Sequence, residues 1–264
     1  MGNNNLYSKT GNFMSNTHDL TEGNVTKQLL TFTVPVMLGA LFQQFYNIVD
    51  TAIVGRTLGV DALAAVGATG SVLLQTSVNG LGSDFVAAQT SGGKISVFAV
   101  CPLDSLGTAL ATFTGQNIGA KKLDRIDEGL KSSLIIGTIY SVVLFGVMFV
   151  AGDKFALIFV EPEKTAIIAN IHKFLIANSS AYVLLLGVDV FRFMIQGMGF
   201  SYLAIISGVM EMIARGIMGI FFVSKLGFIA ACFASPLAWV LADMFLIPAY
   251  IVLRKKVRVG LAYE

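Results

Sequence analysis

The sequence predicts an all-α, polytopic membrane helix bundle of about seven transmembrane helices. Three observations predict it. Of 264 residues, 55% are hydrophobic and only 13% are charged, whereas a soluble domain carries about 25% charged residues. Mean hydropathy is +0.75, which excludes an ordinary soluble enzyme and equally a disordered chain. The apolar residues also gather in runs of the ~20 residues that a helix needs to cross a ~30 Å hydrocarbon core.

The elements follow in order. Residues 1–27 are polar and lack a basic stretch, apolar core and small-residue cleavage site, so no cleaved signal peptide is expected. The first apolar run, 28–49, lies between Lys27 and Asp50. The second, 62–83, lies between Asp61 and Asp84 and is rich in Gly, Ser and Thr. Residues 95–120 form the third, interrupted by Asp104; 132–152 form the fourth. The fifth spans about 165–190 and carries His172 and Lys173. The sixth, 202–223, holds Glu211 and Arg215, and the last is 233–253.

Charge placement predicts orientation. Lys121, Lys122, Arg125 and Lys131 cluster in one connection, and Arg254, Lys255, Lys256 and Arg258 in the tail. Loops rich in Lys and Arg stay cytoplasmic. These two lie four spans apart and so on one side, which predicts a cytoplasmic C-terminus. Seven spans then put the N-terminus outside; an N-terminus inside requires one segment not to cross. The weakly apolar 62–83 is the suspect.

Composition excludes several partners. A net charge of +2 is no footprint for nucleic acid. Cys101 and Cys232 both lie in apolar runs, which predicts neither a disulfide framework nor a zinc site. No phosphate loop, metal-ligand cluster or nucleophile elbow occurs. The chain is therefore expected to use no cofactor and not to be an enzyme; its surroundings are the lipid bilayer.

Ionisable groups inside spans are the candidate site residues, because insertion costs each about 2.5–3.5 kcal/mol. Asp50 shares a helical face with Tyr46 and Asn47, four and three residues earlier. Such a group can bind Na+ or a proton; no other metal is expected. Alternatively Asp50 simply ends its helix, since Thr51, Gly55 and Arg56 follow. Glu211 and Arg215 are spaced i, i+4 in the favourable order for an ion pair, and read as a structural pair or a cavity wall. Asp104 follows Cys101-Pro102 and is a cavity carboxylate or the first-turn acid of a shorter helix. Asp189 and Arg192 read as an interfacial pair, and Asp243 has no partner near it in sequence. Ten methionines and twenty phenylalanines suit an adaptable cavity or a lipid-facing surface.

Several motifs carry a resemblance. Pro35, the run Gln43-Gln44-Phe45-Tyr46-Asn47-Ile48-Val49-Asp50-Thr51, Gly55-Arg56 and Ala62–Gly67 resemble the opening of a MATE (multidrug and toxic compound extrusion) transporter. Gly115-Gln116-Asn117-Ile118-Gly119-Ala120-Lys121 with Asp124-Arg125, then Gln196-Gly197-Met198-Gly199 and the Glu211/Arg215 pair, resemble that family's second lobe. The resemblance implies antiport of Na+ or H+ against organic, often cationic, compounds across the plasma membrane. It makes Asp50, with Tyr46 its neighbour, the coupling-ion candidate; Asn47 joins them by its helical face, and Asp104, Glu211, Arg215 and Gln196 are substrate-cavity or structural polar candidates.

The departure is the length. The family has two six-helix lobes, whereas this chain has room for seven helices. The resemblance divides it into a polar segment 1–27, a first-lobe remnant 28–70, a six-helix second lobe 71–253 and a basic tail 254–264, with a seam near residues 66–71. It leaves open an internally deleted relative that does not transport, and a homodimer that restores the missing half. A seven-helix receptor or channel is supported by helix count alone.

Overall fold

The computed structural model describes residues 19–57 and 72–262. All regular structure among them is helical. Helix α1 is Val25–Thr57, α2 is Val72–Asn79, α3 is Ser83–Gly119 and α4 is Leu123–Ala156. Helices α5, Thr165–Ser179, and α6, Tyr182–Gly197, meet at a 50° bend. Helix α7, Ser201–Ile217, runs through a π-turn at Met218–Val223 into Ser224–Leu226. Helix α8 is Phe228–Ala262.

Among the described residues, five helices are long and apolar enough to cross a membrane, and the bent α5–α6 pair makes six. That is one rod fewer than the seven expected, and the difference lies at 62–83. Its described part holds only the eight-residue α2, about 12 Å of helix. Helix α1 lies antiparallel to α3, with Leu20 beside Asn117 at one end and Ile48 and Ile95 lining one cavity toward the other. Where α1 finishes, α3 therefore begins. The seam at 66–71 lies outside the described residues. Residues 72–262 supply five of the six rods, and α1 is the sixth.

The residues leading into α1 and the last turns of α8 belong to the same end of the bundle. Asn117 Nδ2 donates to the Leu20 carbonyl at 3.1 Å, and Lys122 Nζ to that of Thr21 at 3.0 Å. Arg254 grips Asp127 with two bonds, Nε to Oδ1 at 2.9 Å and Nη2 to Oδ2 at 2.7 Å. The planar guanidinium matches a carboxylate in this two-pronged geometry. The basic α3–α4 connection thus joins the start of α1 to the last turns of α8. The six rods counted among the described residues agree with this placement.

Small residues set the helix spacing. At Gly197 in α6 a Cβ would lie 2.5 Å from the Ala111 carbonyl oxygen of α3, so only a glycine admits this backbone approach. Helix α6 then ends as a Schellman motif. Phe200 N–H reaches Ile195 O at 3.1 Å and Gly199 N–H reaches Gln196 O at 2.9 Å, with Gly199 at φ 88°. The positive φ explains the glycine. Helix α3 closes in the same way through Lys122 and Lys121, the latter at φ 56°.

The outer surface is apolar, as a lipid-facing surface must be. Leu30, Val34, Leu38, Phe42, Phe45 and Val49 form an exposed stripe along α1, and Ile135, Ile139, Val142, Phe149 and Val150 are exposed on α4. Cys101 and Cys232 are free thiols, both buried.

Candidate functional site

Six charged residues of the spans, Asp104, Asp189, Arg192, Glu211, Arg215 and Asp243, converge at the junction of α3, α6, α7 and α8. Glu211, on α7, is only 7% exposed. Its Oε2 accepts from Arg215 Nη2 at 3.0 Å, one turn along the same helix. Its Oε1 accepts from Arg192 Nη2, on α6. Arg192 also donates Nε–H to the buried Ser207 hydroxyl at 3.3 Å, and Ser207 donates to Ala204 O at 2.8 Å. One carboxylate thus bridges two guanidiniums from two helices. A buried ion of either sign is tolerated only when it is paired and hydrogen-bonded in this way.

The true partner of Arg192 is not legible in the sequence. The i, i+3 spacing coupled Arg192 to Asp189 at an interface, yet its side chain turns to Glu211, nineteen residues on. Asp189 itself is only 3% exposed, and its Oδ2 has no hydrogen-bond partner among the described residues. Its charged neighbours are Asp104, Arg192, Glu211 and Asp243. The available signal was the glycine-rich turn after Gln196, which folds α7 back beside α6.

Asp104 lies in the middle of α3, since the helix continues unbroken through Pro102 from Ser83 to Gly119. A shorter helix beginning near Pro102, with Asp104 in its first turn, is therefore excluded. Asp104 is exposed, as is Thr108 one turn later, and Thr112 is half-buried on the same face. The two threonine hydroxyls donate back to the carbonyls of Asp104 and Thr108, at 3.0 and 3.4 Å. This leaves the Asp104 carboxylate as the charged group of an otherwise internally satisfied face.

Asp243 finds its partner surface in tertiary structure. It is 9% exposed and lies against Gly187 of α6, where a Cβ would come within 2.7 Å of Oδ2. Its Oδ1 is also without a partner among the described residues. This cluster gathers the carboxyl groups of Asp104, Asp189, Glu211 and Asp243 around the guanidiniums of Arg192 and Arg215. Among the described residues there is no group of three or more His, Cys, Asp or Glu side chains placed to hold a metal ion.

The other candidates fall elsewhere. Gln196 is half-buried in the last turn of α6, where its carbonyl accepts the Gly199 N–H. Asp50, Tyr46 and Asn47 belong to α1, and their side chains lie outside the described residues. A separate apolar cavity of about 430 Å³ opens between α1, α3 and α4, lined by Leu41, Ile48, Phe98, Met148 and Phe159 among others. Tyr140 brings a hydroxyl to it, which donates to the Ala99 carbonyl at 2.6 Å. Phenylalanine and methionine thus serve both expected purposes: these line a cavity, while Phe42, Phe149, Met212 and Met244 are exposed.

A family model, MatE, matches residues 71–221, more than half of the chain. The chain belongs to the MatE family. The match takes in α2 to α7 and most of the charged cluster of this MatE protein. Two curated relatives are from Bacillus subtilis (strain 168). The probable multidrug resistance protein YpnP is 39% identical over 57 residues, 22% of this chain and 13% of that protein. The probable multidrug resistance protein YoeA is 28% identical over 107 residues, 40% and 23% respectively.

Solved structures match the MatE chain in fold. An outward-facing multidrug resistance MATE family transporter of the MOP superfamily superposes with a TM-score of 0.61 at 16% identity, over 75% of this chain and 44% of that one. An inward-facing one gives 0.61 at 16% identity, over 76% and 46%. A MOP superfamily transporter from Pyrococcus furiosus Vc1 (DSM3638) gives 0.62 at 15% identity, over 73% and 45%. The MatE chain therefore spans less than half the length of the solved transporters it resembles. It is a multi-pass membrane protein with the fold of part of such a transporter.

Proposed function

We propose that this chain forms one lobe of a MATE-type secondary antiporter that expels organic cations and other toxic compounds in exchange for Na+ or H+. The observation that carries the reading is the carboxylate-rich cluster at the α3–α6–α7–α8 junction, all of it but Asp243 within the region matched by the family model. A span exposing Asp104 needs a polar surface or water against it, because a carboxylate facing lipid is costly. A second wall would enclose that face, and a second copy of this chain is the occupant we propose. Transporters of this kind alternate access by rocking one half against the other around a central site. Here Asp104 attracts the cationic substrate, while Glu211 with Arg192 and Arg215 stiffens the wall behind it. Asp50, Tyr46 and Asn47 remain the proposed coupling-ion residues of α1. The host membrane is the plasma membrane, with the basic end of the bundle cytoplasmic.

The test is ethidium efflux from cells expressing this chain, with Asp104→Asn and Asp50→Asn alongside. Efflux above empty vector that depends on an ion gradient and falls in both variants is the expected result. Efflux no greater than vector, from a chain present and folded in the membrane, assigns the lobe to a relative that does not transport. Crosslinking in native membranes that yields only monomers would exclude the second copy.

A further inference from the structure

We propose that the groove between α5 and α8 holds one phospholipid with an anionic headgroup, its phosphate at Lys173 and one acyl chain along the groove floor. The proposal does not depend on the transport reading. The groove has a volume of about 380 Å³ and is lined by His172, Lys173 and Ile176 of α5 and by Phe228, Ile229 and Phe233 of α8, among others. That volume falls in the ~300–1,000 Å³ range of small-molecule pockets. Ile229 and Phe233 are 63% and 48% exposed, so the groove opens outward, on the apolar surface of the bundle.

Its depth matches a phospholipid. The apolar run 132–152 ends at Asp153, and His172 Nδ1 meets Asp153 Oδ1 at 2.6 Å. Residue 172 therefore stands at the edge of the hydrocarbon layer, at the end of α4 opposite Asp127. Helix α8 finishes at the Asp127 end, where Arg254 is held, so it starts at the His172 end. From there α5 and α8 run inward together, joined where Asn178 Nδ2 donates to the Cys232 carbonyl at 3.2 Å. Asn178 is five residues below Lys173, about 7.5 Å deeper. The cationic end of the groove lies at headgroup depth, and its apolar floor at acyl-chain depth.

The charge selects the headgroup. Lys173 is exposed and makes no hydrogen bond or ion pair among the described residues. The nearby Asp153 is taken by His172 instead. A lysine stem can lie along an apolar wall and lift its ammonium to the interface, where it meets an anionic headgroup. A zwitterionic headgroup brings its own cation beside the phosphate and is held less firmly. A free phosphate ion would leave the apolar floor uncovered. Ser180, which closes α5 at its 50° bend into α6, also lines the groove. A seated chain therefore packs against the bend and ties it to α8.

The experiment uses the full chain in nanodiscs of phosphatidylcholine with phosphatidylglycerol. The chain has one tryptophan, Trp239, so Leu237→Trp with Trp239→Phe puts the reporter one turn below Phe233. Brominated phosphatidylglycerol is expected to quench it with about fivefold higher affinity than brominated phosphatidylcholine. Lys173→Gln should abolish the preference and Lys173→Arg should keep it. Lys225→Gln, at the same end but outside the groove, should also keep it. Glycerol 1-phosphate in solution should not displace the lipid. If the reporter chain does not fold, thermal unfolding of the parent decides: phosphatidylglycerol should stabilise it, and Lys173→Gln should lose that gain. Equal quenching by both lipids, a preference that survives Lys173→Gln, or an equal loss in Lys225→Gln overturns the proposal. So does displacement by glycerol 1-phosphate, which would make the ligand a soluble phosphate, and so does parent stability indifferent to headgroup.

Discussion

Arg125 donates its Nε hydrogen to Asn117 Oδ1 at 3.1 Å across the α3–α4 turn. That bond fixes a socket for the residues before α1. From the socket Arg125 Nη1 reaches Gly23 O at 2.8 Å, and Nη2 reaches Leu20 O at 3.2 Å and Gln28 Oε1 at 2.8 Å. Its guanidinium also stands 5.8 Å above the Phe113 ring. Asn117 holds the Leu20 carbonyl from the other side, and Gln116 Oε1 accepts the Leu20 N–H at 2.8 Å.

Arg125→Ala is therefore expected to release the arm at residues 19–28 and to cost about 2 kcal/mol, in line with charged hydrogen bonds. Arg125→Lys should recover little, because an ammonium cannot reproduce the planar fork. Hydrogen exchange of the Leu20 and Thr21 amides reads the outcome. Protection unchanged in Arg125→Ala would show that the arm is held by something else.

Glu211→Gln leaves two half-buried guanidiniums without a counter-ion and is expected to destabilise the lobe by about 3 kcal/mol. Arg192→Ala and Arg215→Ala should each cost less, since either leaves Glu211 with one remaining partner. Thermal unfolding in detergent ranks the three. A Glu211→Gln protein as stable as the parent would mean that the bridge contributes nothing.

Gly197→Ala pushes a methyl group against the Ala111 carbonyl oxygen, an atom that cannot swing aside. The expected loss is about 1–3 kcal/mol. Gly208→Ala, with open space around its Cβ position, is the control and should change stability little. Equal effects from the two would remove the close α3–α6 crossing as the explanation.

The two chain ends should label from one side. Cysteines placed at Glu22 and Lys256, with the buried Cys101 and Cys232 left in place, are expected to react together with an impermeant maleimide. Labelling from opposite sides would restore an odd number of crossings.

Asp19 gives the arm a dependence on pH. Thr21 donates its N–H at 2.8 Å and its hydroxyl at 2.7 Å to Asp19 Oδ1, and these bonds hold the carboxyl below its ordinary 3.8. A lowered value favours the folded turn above 3.8 and loses that contribution as pH falls through the lowered value. The Thr21 amide should exchange faster relative to its neighbours in strong acid, and in Asp19→Asn at neutral pH. Insensitivity in both cases would detach the turn from the charge.

The sequence alone determined that this protein is a membrane bundle, where most of its rods lie, and which groups are costly enough inside a bilayer to carry chemistry. Apolar run length and charge distribution are local properties, so 132–152 and the Glu211–Arg215 spacing could be read directly. Tertiary structure decided what neighbours in space, not in sequence, do to one another. It took Arg192 from Asp189 and gave it to Glu211, set Asp243 on Gly187, continued α3 through Pro102, and made α1 the sixth rod. Each of these depends on helices packing side by side, which brings together groups that no window along the chain contains.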